Sequence, residues 1–445
     1  MDQSIRDAAA DERLAEIRKT NELMTRTGPS TPMGDLLRRY WQPVALQSDL
    51  DAGDPVPLRI MSEDLVLFRD DQGRVGLLGI KCAHRCADLS YGRVEHGGLR
   101  CVYHGWLYDV NGRCLQQPGE PGGGVHKDQI RHKAYPCREA GGLIWAYMGP
   151  DEPPLLPNYP AFTESDAYRY SARWLIECNF LHANEGSIDP VHTSYLHAYN
   201  YKTNETQRRS MEVFQADLAP RLRVAESRYG LRIFAERNAS TPGKKTLRVT
   251  NFLMPNGAAI NGPEAGLGRG GLSIHYHVPI DDTHHWRFEM RFHSKKAIDK
   301  VALAQQHRDE KIAGDRPRRT AENRYLQNRD EMKRGISFIG MGPMFPVHDV
   351  FVTQSQGAIH DQSAEHLTTT DVAIVRARRQ LLGALKDVTA GRDPVGVMRD
   401  EAQNECSDLL VLTETLDAAE DVDAFCERMT AEKIYTLDPA LAASK

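Results

Sequence analysis

The sequence predicts an α+β protein in two parts, a β-rich first domain and a mixed second domain that opens with strands and closes with helices. Three observations carry this. Between Trp41 and about Met148, short β-rich runs alternate with turn residues. A proline-rich connector, DEPPLLPNYP, follows at 151–160. Beyond it, a set of strand-like runs precedes a helix-rich remainder.

Taken in order, residues 11–26 have a helical pattern, with Leu14, Ile17, Leu23 and Met24 spaced among charges, and TGPSTPMG stops that helix. DLVLFRDDQGRVGLLGI reads as a hairpin turning at Asp-Gln-Gly, and GLIWAYMGP closes the β-rich region. Residues 174–198 read as a helical patch. Antiparallel strands are expected at RLRVAESRYGLRIFAER, KTLRVTNFLMP, LSIHYHVPI and HHWRFEMRFHS, then helices at VAIVRARRQLLGALKDV and DVDAFCERMTAEKIY. The chain thus divides into a helical arm (1–40), a β-rich domain (41–155) and an α+β domain (156–445).

The 445 residues suffice for two or three well-buried cores. A net charge of −5 over that length leaves no nucleic-acid or membrane footprint. The N-terminus carries acids and lacks the apolar stretch of a secretory signal, and no apolar run approaches the roughly 18 residues that span a bilayer. Eight cysteines are too few for a disulfide scaffold, and three of them cluster with histidines, so metal is expected rather than disulfides, in the cytoplasm.

That cluster, CAHRCADLSYGRVEHGGLRCVYHGW at 82–106, offers Cys82, His84, Cys86, His96, Cys101 and His104. Cys82-x-His84 and Cys101-x-x-His104 stand out, each pairing one thiolate with one imidazole in a tight turn. A structural zinc site would more naturally use Cys-x-x-Cys knuckles. Two Cys/His pairs suit a Rieske [2Fe–2S] centre, where one iron takes both thiolates and the other both imidazoles. Cys86 is then a small packing residue and His96 a solvated turn residue. The alternative for the whole stretch is a zinc site in a colourless binding protein.

A second constellation, NFLHANEGSIDPVHTSYLHAYN at 179–200, places His192 and His197, with four residues between them, after Glu185 and Asp189. Two histidines and one carboxylate on one face form the non-haem Fe(II) triad with open positions for O₂. Among 17 histidines a close pair is unremarkable, and two half-buried structural histidines remain the alternative reading. An upstream electron-delivering centre favours metal. A Rieske electron carrier alone would need only the first domain and would hold two irons per chain, against three for an oxygenase.

With these residues in place, the sequence resembles the Rieske non-haem iron aromatic oxygenases, specifically the phthalate dioxygenase-like branch. TGPSTPMGDLLRRYWQPV, CAHRCADLSYGRVEHGGLRCVYHGWLYD, GGLIWAYMGP, NEGSIDPVHTSYLH and IHDQSAEHLTTTDVAIVRARR carry the resemblance over nearly the whole chain. It implies a β-rich Rieske domain joined to a helix-grip catalytic domain, a curved antiparallel sheet around a long helix. It implies Cys82, His84, Cys101 and His104 as cluster ligands, His192 and His197 as ligands of a mononuclear iron, and Asp349 in PVHDVFVTQSQGAIHDQSAEHL as the third ligand, with Asp361 its rival. Where the branch more often has an acid before that aspartate, this chain has His348, a competing donor. Asp189 is implied as the bridge between a cluster histidine of one subunit and an iron histidine of its neighbour. A carboxylate there can accept both outward N–H groups, and an N-cap before Pro190 is compatible with that role. Glu185 and Asn179 fall beside the iron without an assigned role.

The bridge implies a homotrimer or a stacked hexamer. Gly266-Leu-Gly268-Arg-Gly-Gly271 matches G-x-G-x-x-G but leads into a strand rather than the helix a dinucleotide site needs, so it reads as a loop. Electrons are therefore expected from a separate NAD(P)H-dependent reductase carrying flavin and an iron–sulfur cluster. The resemblance implies hydroxylation of an aromatic carboxylate with O₂, or O-demethylation of a methoxylated acid by the same chemistry. Arg221 and Arg248 are the candidate carboxylate anchors, suited to planar bidentate pairing, and Thr193 a pocket residue. The histidines of SIHYHV and THHW read as structural.

Overall fold

Period-two burial sorts the strands into four antiparallel sheets. In the computed structural model, described for residues 3–163, 166–199, 212–261, 270–312, 315–404 and 406–435, the β-rich part holds three of them. One runs β1 (Trp41–Leu46), β11 (Leu143–Tyr147), β10 (Cys137–Ala140). A second runs β2 (Val56–Ile60), β3 (Glu63–Arg69), β4 (Val75–Gly79), β9 (Ala134–Tyr135). The β3–β4 hairpin turns where expected: the Asp70 carboxylate accepts from the amides of Gln72 and Arg74 at 3.0 and 2.8 Å, and Gly73 takes φ +82°, a conformation that favours glycine.

The third small sheet, β5 (Arg93–Glu95), β6 (Gly98–Arg100), β7 (Leu107–Tyr108), β8 (Cys114–Gln116), carries the Cys/His stretch in its loops. Phe68, Leu78, Leu99 and Tyr108 form a separate, fully buried apolar core beneath it.

The second part is an eight-stranded sheet in the order β12 (Arg169–Ile176), β18 (His285–His293), β17 (Gly271–Pro279), β16 (Gly257–Ile260), β15 (Lys244–Leu253), β14 (Gly230–Asn238), β13 (Arg221–Ser227), with β19 (Leu412–Asp417) on β15. The Phe180–Ile188 helix lies against β15, β16 and β17. The long Val372–Thr389 helix packs Ala373, Ala377, Leu381 and Ala384 inward against the β13–β14 end. With that cover, every residue of β17 is buried, including Ser273, His275 and His277. Polar side chains so placed must find partners inside the protein.

Three expectations are corrected. The patch at 174–198 starts as strand: Ala172, Trp174 and Ile176 are buried at period two and pair with β18, and the helix begins only after Asn179. Strand β19 was not anticipated. The connector at 151–160 is not a free linker, because the Trp41 indole donates to Pro154 O at 2.7 Å and the Leu155 amide to Met398 O at 2.8 Å. Gly266 and Gly268 of the G-x-G-x-x-G match lie outside the described residues, and Gly271 opens β17, a strand as expected.

The two parts share one apolar core. Trp145 of β11 meets Tyr276 of β17 edge-on, ring centroids 5.2 Å apart. Beside them the fully buried amides of Gln42 and Asn256 pair with each other, at 2.8 and 3.3 Å. Among the described residues no helix is long and apolar enough to cross a membrane.

Candidate active site and metal centres

The first centre is built from two matching turns. The Cys86 amide donates to Cys82 O at 2.9 Å and the Gly105 amide to Cys101 O at 3.0 Å, so each loop closes one residue after its histidine or the next. Cys82 and Cys101 are buried, at 1% and 2% exposure, and their thiols interact. The imidazoles of His84 and His104 lie beside each other, ring centroids 4.4 Å apart, with Trp106 stacked on His84 at 4.6 Å. The Tyr108 hydroxyl meets Cys82 Sγ at 3.2 Å. Cys86 and His96 are exposed, both at positive φ, and stand outside this group. Two thiols on one side and two imidazoles on the other match the split donor set of a Rieske centre. The buried Nδ1 of His84 has no hydrogen-bond partner among the described residues, as expected of an atom meant for a metal.

The second centre gathers residues from distant segments. The Phe180–Ile188 helix ends at Asp189, whose carboxylate caps the next turn by accepting from the amides of Val191 (2.7 Å) and His192 (3.3 Å). That turn presents His192 and, after it, His197. Asp349 arrives from the Phe345–Ser355 helix, which starts with Pro346 at a position where a missing N–H costs nothing. His192 Nε2 and His197 Nε2 are 3.1 Å apart, and Asp349 Oδ1 is 3.2 Å from His197 Nε2 and 4.0 Å from His192 Nε2. Ligands bound at about 2.1 Å on adjacent octahedral positions lie about 3 Å apart. This triangle fits one ion with open sites on one face.

The surroundings fix which atoms face the centre of the triangle. Gly342 O is 2.8 Å from His348 Nε2, and a carbonyl only accepts, so that nitrogen carries the proton. Burial first, and the neighbouring His197 second, hold the His348 pKa down at about 3, so the ring is neutral and its Nδ1 accepts. His197 Nδ1, 3.1 Å away, must then donate, which leaves the His197 Nε2 lone pair turned toward Asp349 and His192. Phe345 stacks on His197 at 4.4 Å. Arg287 Nη1 holds Asp349 Oδ2 at 3.2 Å, leaving Oδ1 inward. Burial would raise the Asp349 pKa, but its contacts, His197 first and the Arg287 guanidinium next, lower it, and with His197 neutral it is Arg287 that keeps the carboxyl ionised. Facing lone pairs at these distances are reconciled by a cation.

The triad opens into a cavity lined among others by Ser187, Thr193, Arg248, His275, Glu289 and Arg291. Arg248 is 7% exposed, and its Nε and Nη1 have no hydrogen-bond partner among the described residues. Its guanidinium sits 5.3 Å from the Phe214 ring. Burial first, then neighbouring Arg237, lowers its pKa to about 10, so it stays charged at neutral pH. A buried, charged, unsatisfied donor fork is costly unless a ligand anion completes it.

The expected site residues separate accordingly. Thr193 lines the cavity, although its hydroxyl donates to Pro190 O at 2.8 Å. Arg221 does not: it is exposed at the start of edge strand β13, since the alternation there turns it outward. Asp361 caps the short turn 362–364 through Ser363 and is exposed, away from the histidines. His348 supports His197 from behind instead of joining the triangle. Glu185 is buried in a bidentate pair with Arg378 at 2.6 and 2.8 Å. Asn179 caps its helix through the Leu181 amide at 3.0 Å. Asp189 Oδ2 lies 3.6 Å from His192 Nδ1.

Arg287, Glu289, Arg291 and His275 went unrecognised, and the SIHYHV histidine read as structural, His275, lines the cavity. The available signal was charge at period two, Arg-x-Glu-x-Arg within an apolar strand, which marks an inward polar face.

Known proteins resemble this chain along most of its length. The Rieske [2Fe–2S] domain family matches residues 40–136, and the family described as LigXa C-terminal domain like matches 146–426. The phthalate 4,5-dioxygenase oxygenase subunit of Pseudomonas putida is 36% identical over 395 residues, 84% of this chain and 88% of that one. The 5,5'-dehydrodivanillate O-demethylase oxygenase subunit of Sphingobium sp. is 34% identical over 423 residues, 93% of this chain and 89% of its own length. The terminal oxygenase of carbazole 1,9a-dioxygenase from Novosphingobium sp. KA1 shares the fold, with a TM-score of 0.55 at 19% identity over 84% of this chain and 96% of that one. A chain that pairs a Rieske [2Fe–2S] domain with a cluster of two histidines and one carboxylate able to hold a metal ion, and that is related along most of its length to such subunits, belongs to the Rieske non-haem iron aromatic ring-hydroxylating oxygenases, in the phthalate dioxygenase-like branch, as an oxygenase component.

Proposed function

We propose that this oxygenase component hydroxylates an aromatic carboxylate, with Cys82, His84, Cys101 and His104 holding the cluster and His192, His197 and Asp349 the mononuclear iron. The observation that carries the substrate class is Arg248, a buried guanidinium with two unpartnered N–H groups at the wall of the iron-facing cavity. When bound, the cluster delivers single electrons and the mononuclear iron activates O₂. The protein's own groups do the rest. Arg248 orients the acid, while Thr193 and Phe214 shape the wall. Arg287 keeps Asp349 ionised with one oxygen inward, and His348 keeps the His197 Nε2 lone pair inward. These are positioning residues. Arg221 has no part in this reading.

Asp189 is assigned the bridging role, carrying electrons from the cluster of a neighbouring subunit. It is within reach of the outward nitrogen of His192, and that nitrogen has no other partner among the described residues. This requires an oligomer, a trimer or stacked hexamer, and a separate NAD(P)H-dependent flavin and iron–sulfur reductase, all placed in the cytoplasm. The domain division at 41–155 and 156–445 belongs to the same reading. A second outcome, O-demethylation, is favoured by the similarity to the dehydrodivanillate O-demethylase subunit across 93% of this chain. The test is turnover of an aromatic-acid panel with a surrogate reductase. A cis-diol indicates dihydroxylation, and a phenol with formaldehyde indicates demethylation. Oxidation of neutral aromatics only, with acids inert, overturns the assignment.

A further inference from the structure

A second histidine chain ends in the same cavity. The Cys178 carbonyl is 2.7 Å from His285 Nδ1, His285 Nε2 is 3.0 Å from His277 Nδ1, and His277 Nε2 is 2.9 Å from Ser187 Oγ. Both imidazoles are buried, at 0% and 2% exposure. Burial first, then neighbouring cationic groups and histidines, lowers both pKa values, that of His285 to about 3, so both rings are neutral. The carbonyl only accepts, so His285 Nδ1 carries its proton and His285 Nε2 accepts. His277 Nδ1 must then donate, and His277 Nε2 accepts in turn. The one hydrogen of Ser187 is committed to His277, against a longer alternative at 3.4 Å to Ala183 O. Reversing the chain would set two acceptors 2.7 Å apart at Cys178. The Ser187 oxygen therefore offers the cavity only lone pairs.

A second acceptor faces the same space. Glu289 is fully buried, and its Oε1 accepts from Arg291. Its Oε2 lies 3.6 Å from Arg287 Nη2, beyond hydrogen-bond range, and has no hydrogen-bond partner among the described residues. The cavity thus presents unpartnered donors at Arg248 and free lone pairs at Ser187 and, beside Arg287, at Glu289.

We infer that Ser187, fixed as an acceptor by His277 and His285, is the contact for a hydroxyl group of the substrate, which donates its one hydrogen there, so that the preferred substrate is an aromatic acid that also carries a free hydroxyl. This rests on the carboxylate reading of Arg248. A methoxy group at that position, an acceptor only, meets the Ser187 lone pairs and is rejected there, and a second carboxylate meets the same lone pairs in a cavity that already holds the charge of Glu289.

The test is anaerobic calorimetric titration of the iron-loaded oxygenase with benzoate, phenol, the three hydroxybenzoates and the three methoxybenzoates. At least one hydroxybenzoate binds about tenfold tighter than benzoate, the worth of one buried hydrogen bond of about 1.4 kcal/mol, and its methyl ether does not. Ser187→Ala removes most of that advantage while leaving benzoate affinity, iron content and the Rieske resonance unchanged. His277→Phe, which frees the serine hydrogen, narrows the gap between hydroxyl and methoxy ligands. Equal affinity for benzoate and every hydroxybenzoate overturns the subsite and leaves the carboxylate reading standing, as does a hydroxyl preference that survives Ser187→Ala. Binding of phenol without benzoate overturns the carboxylate reading and keeps the subsite. Binding of neither overturns both.

Discussion

The two proposed metal centres differ in how they are specified. The proposed cluster donors lie between positions 82 and 104, on two tight turns that each set a cysteine and a histidine. The proposed mononuclear donors come from positions 192, 197 and 349, and only the folded sheet and two helices bring them together. The first centre is partly exposed, with Tyr91, Val102 and Tyr103 at 75%, 59% and 55% around it. The donors of the second are no more buried, with the Asp349 side chain 32% and that of His192 21% exposed, but their orientation is fixed by other ionised and hydrogen-bonded side chains. A local centre tolerates loose surroundings, whereas a long-range one depends on its supports.

The sharpest way to break this comparison is at Asp349. Asp349→Ala should lower iron from about three to about two per chain and abolish turnover, leaving the Rieske signal of the reduced protein intact. Retention of all three irons would move the third-ligand role elsewhere, and Asp361→Ala is the control that should change neither. Next in size is Arg248→Met, which should raise KM for the acid by about ten- to a hundredfold, matching the 1.5–3 kcal/mol of a charged hydrogen bond. Arg221→Met should leave KM unchanged, and steady-state kinetics on both variants decides between the two arginines.

His348→Ala tests dependence on supports. Losing the group that directs the His197 lone pair should weaken mononuclear iron binding about ten- to a hundredfold, measured by anaerobic iron titration, with the cluster untouched. An unchanged affinity would make His348 a packing residue only.

The smallest effect is electrostatic. His360 pairs with Glu365 at 2.8 Å, and that bond raises the His360 pKa above 6.5. The Glu365 pKa drops to about 2, since Arg378 and His360 outweigh its burial. A raised histidine contributes fully below its unfolded value and loses that contribution as pH climbs through its folded one. A depressed carboxylate contributes above its unfolded value of about 4.5 and loses it toward about 2. The pair is therefore strongest between about pH 4.5 and 6.5. Denaturant unfolding should show His360→Gln trailing the parent most near pH 5.5 and least near pH 8.5. A gap that widens with pH would contradict the pairing.

The same local-versus-distant contrast explains what could be read from the sequence. The β3–β4 hairpin and strands β13, β14, β15, β17 and β18 follow from turn residues and period-two alternation and are where those patterns put them, whereas the short β16 was not expected; the Cys/His spacings of 82–104 are local in the same way. His192 and His197 were visible as a pair because they share one turn. The resemblance favours Asp349 over Asp361, and the fold adds the physical difference: Asp349 stands within the Phe345–Ser355 helix 3.2 Å from His197 Nε2, while Asp361 is exposed and caps a turn. Arg221 and Arg248 carry the same chemistry in similar strands. What distinguishes them is that one strand is at the sheet edge and the other is covered on both faces, which no local pattern encodes. The hydrogen-bond polarity set by Gly342 O and Cys178 O is likewise a property of backbone groups that have no sequence signature.

The seam between the two parts has a practical side. Trp145 rests on Tyr276, and Gln42 and Asn256 satisfy each other's amides with no water-facing alternative. A chimera that couples this catalytic half to the electron-delivering half of another oxygenase would cut through a shared interior. The recombination unit is therefore larger than the visible boundary near residue 150: the strands that carry Gln42 and Trp145 must travel with, or be matched to, the sheet residues they touch. Shuffled libraries broken at the connector alone would mostly sample mismatched interiors, and redesign of redox partners for this protein starts from that joint surface.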